Sequence, residues 1–286
     1  LTDAIQQSIS GRLAFTTPAV MSDVSKGDFV YQSSFEYDKD KQWQGSLKKY
    51  KLNANGTFGA EQWDAGTVLN TVGYQSRKLW TVGIGTKGLS NFNHGTPNIT
   101  NLKSKLFPLK ASPTDAEAEK LIKYIRGQDS YDTDSDGSTK DEIHKLADIY
   151  NSELIVVGDP EASTADTGNT NYPKTDAFYR ANNGYTNFKN NTSRLEVVIA
   201  GANNGILHAF DTRQGNELWG YIPPNILGKL STTITSTPNK TISIYGVDGS
   251  PMVKDIFFDD TPNDGQTNPR WRTVLISGLG AGGKGY

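Results

Sequence analysis

Leu195-Glu-Val-Val-Ile-Ala-Gly201-Ala-Asn-Asn-Gly205-Ile-Leu-His208-Ala-Phe-Asp211-Thr-Arg-Gln-Gly215-Asn-Glu-Leu-Trp219-Gly-Tyr221 is the stretch that decides the fold class of this chain. Residues 197–200 form a short apolar run of the buried-strand type. Asn203, Asn204 and Gly205 accept the positive φ of a tight turn and lead into a second strand over 206–210. Asp211 to Gly215 turns the chain again, into a third strand over 217–221. The pattern predicts a three-stranded meander, with further strands over 242–246, 251–258 and 271–278.

The same rhythm occurs upstream. Phe29, Tyr31, Phe35 and Tyr37 recur at period two, which puts the aromatics on one face of a strand. Tyr50 and Leu52 continue the alternation, Asn53-Ala54-Asn55-Gly56 reads as a turn, and Trp63 follows in extended chain. Tyr50 to Trp63 therefore resembles His208 to Trp219: a strand ends in Asn or Asp, a polar turn closes on Gly, and Trp lies on the next strand. Repeated strand–turn–strand units with a fixed aromatic predict a mainly β chain built as a modified β-propeller of antiparallel meanders. Two hairpins of a β-sandwich share these signals and stand as the alternative.

The middle of the chain breaks the rhythm. Ser112-Pro113 reads as an N-cap and first helical residue, and Ala118, Leu121, Ile122 and Ile125 follow at helical spacing, so one inserted helix is expected over 113–126. Residues 127–142 and 159–193 read as long excursions, and residues 2–10 as a short helix with Ile5 and Ile9 on one face. The expected organisation is one propeller-type domain over 1–286, incomplete at its C-terminus, with 113–158 as a helix plus calcium-loop insertion. Leu1 and the terminal Gly-Gly-Lys-Gly-Tyr286 make a fragment of a longer protein the expectation.

Composition narrows the function classes. Hydrophobic residues make up only 35% of the 286, whereas aromatics reach 10% and Gly numbers 29, a balance that suits short strands and tight turns. A formal charge of -2 argues against a nucleic-acid or anionic-membrane surface. Zero cysteines exclude disulfides, Cys-ligated zinc and cysteine nucleophiles. No apolar run approaches the roughly 18 residues of a membrane-spanning helix.

Asp132-Thr-Asp134-Ser-Asp136-Gly137-Ser138 is the sharpest chemical signal. Carboxylates at alternate positions converge when the loop coils tightly, and Gly137 permits the turn. Ca²⁺ takes roughly six to eight oxygens, so the Ser138 carbonyl and a later carboxylate, Asp141 or Glu142, are expected to complete the shell. Ile143 stands where a helix–loop–helix calcium site has its bidentate Glu, which points to a shorter calcium loop. Asp255, Asp259, Asp260 and Asp264 lack that spacing and read as a solvated loop. Arg126-Gly127-Gln128-Asp129 has a Gln inserted into an integrin-type triplet and is given no such role. The glycines from Gly278 to Gly285 lack the Lys-Ser/Thr and helix of a phosphate loop. His94, His144 and His208 have no recognisable catalytic partner in sequence and read as structural or exposed. No catalytic residue is assigned.

Several segments together resemble the PilY/PilC-type pilus-tip adhesins. They are Val198 to Asp211 with Gly215, Trp219 and Tyr221-Ile-Pro223, then Tyr245-Gly-Val-Asp248-Gly249-Ser250-Pro251 and Trp271 to Gly283. Earlier pieces fit too: Val30-Tyr31, Trp43-x-Gly45-x-Leu47, Trp63-Asp64-Ala65, and Tyr124-Ile-Arg126-Gly127 ahead of Asp148-Ile149. The resemblance implies a C-terminal propeller of a cell-surface protein of a Gram-negative bacterium. It implies roles in type IV pilus (fimbrium) biogenesis, the balance of assembly and retraction, twitching motility, cell adhesion and virulence. The implied partners are minor pilins at the pilus tip and a host-cell receptor. Some members bind calcium beyond the glycine-rich segment, so the Asp132–Asp136 loop stands on its own residues. Gly201-x-x-x-Gly205 through Trp219 also resembles the blade repeat of PQQ-type quinoprotein dehydrogenases, the enzymatic alternative.

Overall fold

The computed structural model describes residues 19–20, 27–83, 90–166, 175–260 and 268–286. β1 (Ala19–Val20), β2 (Phe29–Glu36), β3 (Gln44–Leu52) and β4 (Phe58–Asp64) form an antiparallel sheet in sequence order. Tyr31, Ser33 and Phe35 turn to the buried face of β2, and Tyr37 lies past its end, exposed. The 53–56 turn closes with the Gly56 amide donating to the Asn53 carbonyl at 2.9 Å.

A second sheet is assembled from distant segments. β5 (Leu79–Trp80), β6 (Ile155–Val157), β7 (Val197–Gly201), β8 (Leu207–Asp211) and β9 (Glu217–Tyr221) lie in the order β5-β9-β8-β7-β6. The meander read over 197–221 is its centre, and β5 joins parallel to β9. The strand expected over 242–246 does not form. There the Gly246 amide donates to the Asn203 side chain at 2.9 Å and the Val247 amide to the Ala202 carbonyl at 3.1 Å. The β7–β8 turn thus holds the end of this segment, while at its start the Ile242 amide donates to the Thr233 carbonyl at 2.9 Å.

Helices are more numerous than the two expected, over 2–10 and 113–126. α1 (Ala65–Asn70), α2 (Thr96–Leu106), α3 (Asp115–Arg126), α4 (Asp176–Asn182), α5 (Tyr185–Asn191) and α6 (Leu227–Leu230) are present among the described residues. α3 buries the anticipated Ala118, Leu121, Ile122 and Ile125. It is capped by Thr114 rather than Ser112, because Thr114 and Glu117 form a reciprocal capping box. α2 is rich in Asn and Thr, weak helix formers, and owes its helicity to Ile99, Leu102 and Leu106 packing along α3. Part of the 159–193 excursion is α4 and α5, and its residues 167–174, like the helix expected over 2–10, lie outside the described residues.

Two compact units divide the chain. One lies within Leu1–Val156, Val198–Pro251 and Ser277–Tyr286, the other within Val157–Val197 and Met252–Ile276. In the first, Tyr31, Leu47, Trp63, Leu69, Leu146, Val198 and Phe210 share one core. In the second, β10 (Pro251–Phe258) and β11 (Arg270–Ser277) pair, and Trp271 packs on Tyr185 and Phe257 while donating to the Asn183 carbonyl at 2.7 Å. Its acidic residues are engaged: Asp255 accepts from Thr273 and Tyr185, and Asp260 pairs with Arg270 and Arg272. Asp264 lies outside the described residues.

Asp148 ties the first unit to a pH-dependent stability. Burial raises its carboxyl to about 6, because hydrogen bonds from Asn203 (2.6 Å) and Ser243 (3.4 Å) replace only part of its lost hydration. A carboxyl raised on folding holds its proton more tightly in the folded state. Its contribution is therefore greatest below the ordinary value of 3.8 and declines as pH rises toward 6. Across that window the group is expected to remove up to about 3 kcal/mol of stability. Asp148→Asn should flatten this slope in urea denaturation at a series of pH values, and an unchanged slope would exclude Asp148 as its source.

Candidate metal centre

The loop after α3 is pinched at its neck. The Asp129 amide donates to the Asp141 carbonyl at 2.7 Å and the Ile143 amide to the Gly127 carbonyl at 2.9 Å. Asp129 is buried and accepts from the Thr133 amide and hydroxyl, while the Ser130 hydroxyl donates to the Lys120 carbonyl of α3 at 2.7 Å. These bonds fasten the base of the loop before its acidic run begins.

Within the run each aspartate organises the backbone ahead of it. Asp132 Oδ1 accepts from the Gly137 amide (3.1 Å), Asp134 Oδ1 from the Asp136 amide (3.3 Å) and Asp136 Oδ1 from the Ser138 amide (2.7 Å). Asp132, Ser135 and Gly137 all have positive φ, and at Gly137 (86°) the absent side chain makes the coil possible. Carboxylate oxygens of Asp132, Asp134 and Asp136 come within 4.8 Å of one another, with Asp132 half-buried and the other two exposed. Asn239 donates to the Asp132 carboxylate and the Ser135 hydroxyl from a distant segment.

Three of the six candidate residues thus converge through their side chains. Ser138 follows on the same coil and would offer its backbone oxygen. Asp141 contributes its carbonyl to the neck, and its side chain is not part of the converging group. Glu142 is turned elsewhere, its Oε1 accepting from the Tyr74 amide at 3.0 Å and its Oε2 paired with Lys145 at 2.5 Å. The donor set is all oxygen and anionic, which suits a hard cation such as Ca²⁺ over a transition metal.

The histidines are structural in their contacts. His144 bridges the Gly45 carbonyl and the Asn70 amide. Burial lowers the ring pKa of His94, His144 and His208 alike. His208 has a carboxylate partner that sequence spacing did not disclose, Glu217 at 2.7 Å, and Arg77 completes a buried cluster with it. Arg126, in the run resembling an integrin triplet, is buried with its guanidinium on backbone carbonyls.

Residues 146–286 match the family model described as the PilY1 beta-propeller domain. The chain is 31% identical over 294 residues to the type IV pilus biogenesis factor PilY1 of Pseudomonas aeruginosa strain PAK, covering 98% of this chain and 23% of that protein. A type IV pilus biogenesis factor PilY1 homolog of Xylella fastidiosa strain Temecula1 is 25% identical over 314 residues, 98% of this chain and 19% of its own. The chain therefore spans about a quarter or less of these relatives. No solved structure matches it. The acidic loop precedes the segment matched by the family model.

Proposed function

Since the chain belongs to the PilY1 family, we propose that it is a calcium-binding, propeller-type part of a type IV pilus biogenesis factor, acting at the cell surface by binding and scaffolding rather than catalysis. The observation that carries the pilus role is similarity across 98% of the chain to proteins named for pilus biogenesis. Its place is at the pilus tip with minor pilins, where it favours assembly over retraction, supports twitching motility and contributes to adhesion through a host-cell receptor. The propeller reading is supported by the two repeated hairpins, because Trp63 of the first packs on the Gly215 turn of the second, as neighbouring blades would.

Calcium in this reading is structural. Three carboxylates held together repel one another, and a divalent cation removes that repulsion while joining the Asp132–Asp136 coil to the neck behind α3. Calorimetric titration should give saturable Ca²⁺ binding that Asp134→Ala abolishes. Chelator should speed proteolysis within 127–143 and leave the strands folded. Absence of binding to the parent chain would reduce the loop to a solvated acidic turn. The pilus role is tested separately, by deleting this segment from the full-length factor in its own bacterium: surface piliation and twitching should fall, and wild-type levels of both would end the proposal.

A further inference from the structure

The second unit carries a groove of about 420 Å³ between a helix and a strand. Asp176, Tyr179, Arg180 and Asn183 form one wall. Spaced i, i+3, i+4 and i+7, they lie on one face of α4 and its C-terminal cap. Residues 254–257 of β10 form the other wall. Side chains of a strand alternate between its two faces, so four consecutive residues border one groove only where it runs along the strand's edge. β11 occupies one edge of β10, and the other has no strand partner among the described residues. The groove therefore follows the free edge.

A free edge presents a row of main-chain N–H and C=O groups, and a further strand is the ligand that satisfies them as a row. A sheet of two strands also falls short of the roughly three that an independently stable sheet needs. The lining is aromatic: Phe257 and Trp271 pack with ring centroids 5.3 Å apart, and Tyr179 on the helix wall is 55% exposed. Its charges balance, Asp176 and Asp255 against Arg180 and Lys254, so neither an acidic nor a basic occupant is selected. Lys254 reaches Asp176 at 3.3 Å, but their side chains are 64% and 69% exposed and the pair is parted at little cost. We propose that the groove takes an extended, uncharged segment of another protein, added to β10 as a third strand with its alternate apolar side chains on the aromatic lining. Main-chain hydrogen bonds to β10 supply the affinity and the alternate side chains the specificity. This inference is independent of the calcium and pilus readings.

Calorimetry on the whole chain tests this with an acetylated and amidated peptide of seven alternating valine and serine residues. Saturable binding is expected, together with slowed amide hydrogen exchange over 254–257. Two N-methylated forms of the peptide carry the decisive contrast and need no change to the protein. Methyl groups on the alternate amides of one peptide edge should abolish binding, and those on the opposite edge should leave it intact, because only one edge can face β10. Tyr179→Ala, at an exposed position, should weaken binding about tenfold or more. Failure of the peptide to saturate, equal effects of the two N-methylated forms, or an affinity unchanged by Tyr179→Ala would overturn the proposal. So would dimerisation of the chain that Tyr179→Ala abolishes, since the groove would then belong to a second copy.

Discussion

Glu217→Gln is expected to lower the folding stability of the chain by about 3–5 kcal/mol in urea denaturation near neutral pH. Arg77 and Glu217 are joined by two parallel hydrogen bonds, 2.9 Å from Nε and 2.8 Å from Nη2, and their side chains are 0% and 3% exposed. Arg126 lies beside them, donating to the carbonyls of Tyr74, Gln75, Arg77 and Phe92. Burial and the neighbouring Arg77 lower Arg126 to about 10. Removing the carboxylate leaves two buried guanidinium groups facing each other without a counter-charge. His208 cannot supply one, because an imidazole is either neutral or cationic, and burial favours the neutral form.

Acid should act on the same cluster. Burial works against ionisation of Glu217, but the charge of Arg77 and hydrogen bonds from Arg77 and His208 outweigh it and hold the carboxyl far below the usual range. A carboxyl depressed on folding contributes stability above its unfolded value, here 4.5, and that contribution is lost as pH falls below it. Glu217→Gln should therefore lose much of the parent's acid sensitivity. The apolar double replacement Arg77→Met/Glu217→Leu should cost less than Glu217→Gln alone, since it leaves neither partner charged. A single-variant cost below about 1 kcal/mol would mean that water reaches the cluster.

Trp63→Ala should cost about 3–5 kcal/mol by the same measurement. Trp63 is buried in the shared core, and its Nε1 donates to the Thr212 carbonyl at 3.1 Å. Its ring covers the turn at Gly215, where an added Cβ would stand 2.9 Å from the indole and the backbone has φ of 73°. Gly215→Ala is thus strained twice, by the positive φ and by the ring. Trp63→Phe keeps part of the packing and loses the hydrogen bond, so it should fall between parent and alanine variant. Equal losses for Phe and Ala would place the energy in the hydrogen bond rather than in the packing.

Local pattern carried much of this fold. Period-two aromatics located β2, the turns at 53–56 and 211–215 close on Gly56 and Gly215 at positive φ, and the spacing of Ala118, Leu121, Ile122 and Ile125 located α3. The alternate aspartates were legible for the same reason, since a tight coil brings neighbours in sequence together without help from the rest of the chain. α2 was not, because Thr96–Leu106 has little intrinsic helicity and is stabilised by α3. Nor was the loop over 242–246, where Ile242 and Ile244 look strand-like but the Ile242 amide bonds to the Thr233 carbonyl and the Gly246 amide to Asn203 of the β7–β8 turn.

The sequence by itself thus determined the elements whose cause lies within a few residues: strands, tight turns, the capped helix and the acidic coil. Only the tertiary structure decided which of them meet. Arg77 finds Glu217 across 140 positions, Trp63 finds Thr212 across 149, and Glu142 turns from the acidic coil to Tyr74 across 68. Such pairings depend on how sheets and helices stack, and burial then makes the partner obligatory, because a charge or amide removed from water must be matched where it lies.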